Sequence, residues 1–172
     1  MSQSTALPIA WIVLRILILL NRLWGVAILA LVTATIVAED WTFTALGITE
    51  DSWIPGIIMG LRAVAILGLM AIVLNDFVLR RLARIVETVR VGDPFVLANA
   101  NRLHESAWAL LGLQLLSIAI AIIGRFLSTA EHPIRFDAGF SVSGWLAVIL
   151  TFVLARVFAE GALMREDLEG TV

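Results

Sequence analysis

Four runs of apolar residues, each long enough to cross a bilayer as a helix, constrain this chain more than anything else in it. They cover Ile16 to Ala38, Ile54 to Leu74, Ala107 to Leu127 and Trp145 to Met164, and a helical crossing takes roughly 20 residues. The two-residue alternation of a barrel strand is missing. With 60% hydrophobic and only 15% charged residues, the composition falls outside the range of a soluble globular domain. The expected fold is an all-α integral membrane protein, a bundle of four transmembrane helices forming a single membrane domain over residues 1–172.

The first run is the awkward one. Apolar residues reach from Ala6 to Ala38, about 50 Å as one helix, too long for one crossing and too short for two. Arg15 and Arg22 share a helical face, so the reading is an amphipathic turn or two on the membrane surface leading into the span. Pro8 then sits in the first turn, where its missing N–H costs little. A cleaved signal peptide is not expected, because no basic residue precedes Arg15 and no small-residue cleavage site follows a short apolar core.

Orientation follows from arginine, which supplies all 12 basic residues. The stretch from Glu39 to Trp53 has four acids (Glu39, Asp40, Glu50, Asp51) and no arginine, whereas Arg80 to Arg102 holds five arginines. The positive-inside rule makes the second stretch cytoplasmic and the first external, with both termini in the cytoplasm; Arg165 near the end agrees. Trp41, Trp53 and Trp145 fall at expected external ends and Trp108 at an internal one. The expected location is the cell inner membrane. Zero cysteines rule out disulfides and thiol chemistry.

Residues 77–106, between spans two and three, read as a cytoplasmic helical hairpin. The helix from span two is expected to run through Arg90 or Val91 and stop at Gly92, which takes the left-handed C′ position at little cost. Asp93 is a good N-cap and Pro94 suits the first helical position, so a new helix is expected to start at once. Val78, Leu82, Ile85, Val86 and Val89 form an apolar stripe on one arm, and Val96, Ala100, Leu103 and Ala107 on the other; the stripes are expected to face each other. Arg80, Arg81, Arg84, Glu87, Asn101, His104 and Glu105 are left on outer surfaces. Each arm would project roughly 20 Å beyond the membrane. There its arginines could meet anionic headgroups, each adding on the order of 1 kcal/mol.

Two resemblances arise from this segment. Leu79 to Asp93, LRRLARIVETVRVGD, looks like the first helix and Gly-Asp corner of the linker domains in bacterial receptors. Such linkers need a long connector before their second helix, and Pro94 argues against one here. The second resemblance is broader. Gly92 to Leu103, GDPFVLANANRL, together with Leu154 to Val172, is similar to a bacterial family of four-span membrane proteins of unknown function, catalogued as domain-of-unknown-function family 2975. The residues that carry it are Gly92, Asp93, Pro94, Phe95, Asn99, Arg102, Leu103, Phe158, Gly161, Asp167, Thr171 and Val172. Gly170 departs from the pattern, where an apolar residue is more usual. The resemblance implies four helices, frequent pairing with a small helix-turn-helix DNA-binding protein encoded nearby, and no known substrate.

The leading expectation is a non-enzymatic inner-membrane protein that binds or tethers a cytoplasmic partner such as that regulator. Candidate partner-binding residues are Arg81, Arg84, Asp93, Phe95, Asn99, Arg102 and Asp167. No direct contact with nucleic acid is expected, and no catalytic, cofactor or metal site. His104 and His132 fall on opposite sides of the membrane, and no HExxH, phosphate-binding Gly loop or nucleophile elbow is present. His104, Glu105 and Ser106 are adjacent on a helix and point in different directions.

Polar residues inside spans are the other candidates, since a charge at mid-membrane costs at least about 2.5 kcal/mol. Arg62 either binds an anion, pairs across helices or snorkels toward Glu39, Asp40 or lipid headgroups. Arg156 and Glu160, four apart, can pair along one face, in a clamp extended by Asp76, Arg80 and Arg81. The competing reading is a small oligomeric transporter or channel in which Arg62, Gln114, Arg156 and Glu160 line a path; the lack of a broken-helix pair stands against it. Gly56, Gly60 and Gly68 give span two a face on which span one or span four can approach closely, or a homodimer seam. Ala155, Ala159 and Gly161 offer a second such surface.

Overall fold

Runs of leucine, isoleucine, valine and alanine, broken by few glycines, build four long helices in a computed structural model that describes residues 6–38, 41, 57–128 and 138–169. They are α1 (Ala6–Val37), α2 (Ile57–Arg90), α3 (Leu97–Leu127) and α4 (Val142–Glu169). Each is long and apolar enough to cross a membrane. That fits an all-helical, multi-pass membrane protein.

The extents differ from expectation at two places. α1 is one unbroken helix of 32 residues, about 48 Å long, where a surface turn followed by a span from Ile16 is expected. Its N-terminal half lies along α2 instead of on its own: the Arg90 guanidinium is 5.7 Å from the Trp11 ring, and Arg22 pairs with Asp76 at 3.0 Å. The shared face of Arg15 and Arg22 has a protein neighbour. α2 joins span two and the first hairpin arm in one piece of 34 residues, and it stops where Gly92 predicts.

Gly92 has φ +89°. Its N–H donates to the Val89 carbonyl, and the Asp93 N–H donates to Thr88, which is the paired closure of a Schellman motif. The second helix does not begin at Asp93 and Pro94. Residues 93–96 are non-helical, and α3 starts at Leu97 behind an extended Val96 that caps with no side-chain bond. The cause is tertiary: Asp93 is drawn to Arg165 of α4, and Asn99 Nδ2 donates to the Pro94 carbonyl at 2.9 Å. These two contacts hold the connector extended where local cap chemistry favours a helix.

Packing runs in chain order. α1 lies on α2, α2 on α3 and α3 on α4, and among the described residues no other helix pair touches. Gly139 (φ +137°) gives its N–H to the Ser117 hydroxyl at 2.9 Å and takes that hydroxyl's proton on its carbonyl at 3.1 Å. α4 thus begins beside the middle of α3 and runs toward the Gly92 corner. The arms over 77–106 are flanked on both sides, by α1 and by α4. Their apolar stripes meet as expected, with Val78, Ala100, Leu103 and Ala107 buried.

Small residues set how closely the helices approach. In the α3–α4 seam Ala107, Ala109, Val148, Ala155 and Ala162 are buried. Gly60 receives Leu127 of α3, so its neighbour is span three, whereas Gly68 lines the cavity beside span one with no atom within 4 Å of an added Cβ, and Gly56 lies outside the described residues. At Gly144 an added Cβ would collide with the Gln114 side-chain amide. Gly144→Leu is expected to push that amide out of the seam and lower stability by about 1 kcal/mol, read as a drop in denaturant midpoint. An unchanged midpoint would mean the seam has slack.

Candidate functional site

The corner between α2 and α3 gathers most of the residues singled out in the sequence, and Asn99 is its hub. Asn99 is fully buried. One of its amide hydrogens goes to Thr88 Oγ1 at 2.7 Å, the other to the Pro94 carbonyl, and its oxygen accepts from Arg102 Nη1 at 2.8 Å. Thr88 donates in turn to the Ile85 carbonyl at 2.7 Å. One amide therefore ties the last turns of α2, the connector and the first turn of α3, with both donors in use as burial requires. Ser106 is also buried and donates to the Arg102 carbonyl at 2.7 Å.

α4 closes the corner from the side. The Phe95 and Phe158 rings lie 5.3 Å apart at 41°. Gly161 makes room for Phe95, since a Cβ there would come within 2.8 Å of its ring, and Arg165 pairs with Asp93. The two stretches that carry the family resemblance are in contact through these residues.

Most candidate partner-binding side chains have internal partners. Arg81 pairs with Glu105 across the α2–α3 seam at 2.5 Å, Asp93 with Arg165, and Arg102 with Asn99. Asn99 has no exposed atoms to offer a partner, so the contact role expected for it is replaced by bracing. Phe95 keeps 43% exposure, and its chain neighbours Val91 and Leu97 are exposed at 79% and 50%. Arg84 and Asp167 are exposed. His104 accepts from Trp108 Nε1 at 3.1 Å and meets the Phe152 ring edge-on.

No family model, curated protein or solved structure matches this chain.

The polar residues within the spans occupy three separate places. Arg62 donates from Nη2 to the Thr35 carbonyl of α1, beside an apolar cavity of about 320 Å³ between α1 and α2. Glu39 and Asp40, the acids expected to attract it, lie outside the described residues. Gln114 sits in the α3–α4 seam against Gly144. Arg156 and Glu160 pair at 2.7 Å on an exposed face of α4. No one seam of the protomer holds all four. The clamp expected to extend from Arg156 and Glu160 is also divided: Asp76 is shared by Arg22 at 3.0 Å and Arg80 at 2.9 Å.

Several residues of the site have only weak sequence signals. Thr88, Arg165 and Arg22 act over long separations, of 11, 72 and 54 residues. Only the i,i+4 spacing of Asp76 and Arg80 is visible locally. Among the described residues no group of three histidine, cysteine, aspartate or glutamate side chains is placed to hold a metal ion.

Proposed function

We propose that the chain is a non-enzymatic bacterial inner-membrane protein whose Gly92 corner, in the cytoplasm together with both termini, docks a cytoplasmic partner. A small helix-turn-helix regulator held at the membrane is the partner implied by the family resemblance. One observation carries this reading: Val91, Phe95 and Leu97 are all exposed on and beside the connector that Asn99 and the Asp93–Arg165 pair hold in place. Exposed apolar side chains close together in the chain are what a partner's apolar face can cover. A preformed tip also avoids the cost of ordering a loop on binding.

The test leaves the bracing residues alone. Solubilised protein, wild type and a Val91→Glu, Leu97→Glu variant, is affinity-purified from cells that co-express the neighbouring gene, and the accompanying proteins are identified by mass spectrometry. A DNA-binding protein kept by the wild type and lost by the variant is the expected result. Equal, partner-free samples would end the docking proposal.

A further inference from the structure

The seam between α1 and α2 is looser than that between α3 and α4, and it opens into two adjoining hollows on one side. The first is a cleft of about 410 Å³ whose lining includes Trp11, Arg15, Arg22, Arg80, Arg84 and Glu87. The second is an apolar groove of about 590 Å³ that continues it along Gly25, Val26, Leu29, Leu69, Ile72 and Val73. Arg22 lines both hollows, and its partner Asp76 lines the groove.

The charge in the cleft is unbalanced. Asp76 serves Arg22 and Arg80 together, and Glu87 lies 3.5 Å from Arg90. Among the described residues Arg15 and Arg84, one from each helix, have no carboxylate at ion-pair distance; Arg15 lies 4.7 Å from the Trp11 ring centre. Guanidinium groups converging from two helices suit a phosphate oxyanion. The outer face of α1 beside the cleft is exposed and apolar at Ile12, Ile16 and Leu19, a surface that acyl chains cover.

We propose that this seam is a binding site for an anionic phospholipid, with its phosphate between Arg15 and Arg84 and one acyl chain in the groove of Val26, Leu29 and Val73. A lipid accounts for both hollows and for their continuity, whereas a free phosphate accounts for the cleft alone. The site is distinct from the Gly92 corner and does not depend on a docked partner.

The test uses the full chain in detergent and native mass spectrometry with two added lipids, phosphatidylglycerol and phosphatidylcholine. Phosphatidylglycerol should be retained in preference by the wild type. It should bind about 30-fold more weakly to an Arg15→Gln, Arg84→Gln variant, the loss expected for two arginine–anion contacts. Leu29→Trp, which fills the groove and leaves the arginines, should weaken lipid retention as well. Circular dichroism and melting of each variant show that it is folded. Equal retention of the two lipids would overturn the proposal. So would inorganic phosphate competing as well against the wild type as phosphatidylglycerol does, or a lipid-free dimer in which a second copy covers the seam.

Discussion

Replacing Asn99 by leucine is expected to cost about 3 kcal/mol of stability, because the half-buried Pro94 carbonyl and Thr88 hydroxyl lose their donor and Arg102 its acceptor, and a group left unsatisfied costs roughly 1–3 kcal/mol. The side chain is fully buried, and its amide is the donor to both Thr88 and Pro94. Leucine has the same branched four-atom shape and is no smaller, so the loss does not report a cavity. Thr88→Val removes one arm of the same network and should cost about 1 kcal/mol. Denaturant unfolding in mixed micelles gives both values. A change below 1 kcal/mol for Asn99→Leu would show that the corner is held by packing alone.

The second large effect is expected at Gly161. A leucine there drives into the Phe95 ring, which already lies where a Cβ would be 2.8 Å away, and overpacking of this kind costs about 1–3 kcal/mol. The end of α4 should then lift from the corner and separate Arg165 from Asp93. Spin labels at Val91 and Met164, both exposed, would report a longer and broader distance distribution. Phe95→Ala in the same chain removes the obstacle, so the double variant should recover about 1–2 kcal/mol relative to the sum of the singles. Strict additivity would mean that Gly161 and Phe95 do not meet in the folded protein.

The parts of this fold legible in the sequence are those decided locally. Four apolar runs predict four helices because length and hydropathy act residue by residue, and the stop at Gly92 follows from the tolerance of glycine for positive φ. The start of α3 was not legible, since Asp93 is a good N-cap by itself and only Arg165, 72 residues away, takes it from that role. α1 shows the same limit. Arg15 and Arg22 look like the polar face of a surface helix until Asp76 of α2 is known to lie beside Arg22. Gly112 and Gly144 each leave room for a neighbouring side chain, yet an isolated glycine in an apolar run has no spacing pattern to announce it. Asp93, Asn99 and Arg102 lie together at the corner, where Asn99 is buried and bonded to Arg102 and Asp93 pairs with Arg165.

The chain-order packing of the helices bears on how the protein is made. Because α1 touches only α2, α2 only its two neighbours, and α4 only α3 among the described residues, each helix meets its partner as soon as the next one is synthesised. No early segment has to wait for a distant late one, and short sequence separation between partners favours rapid assembly. The exception is the corner, whose Asp93 and Phe95 stay without Arg165 and Phe158 until α4 has been translated. Ribosomes stalled before α4 should therefore hold three docked helices with an unlatched tip, and latching of that tip would mark the arrival of α4.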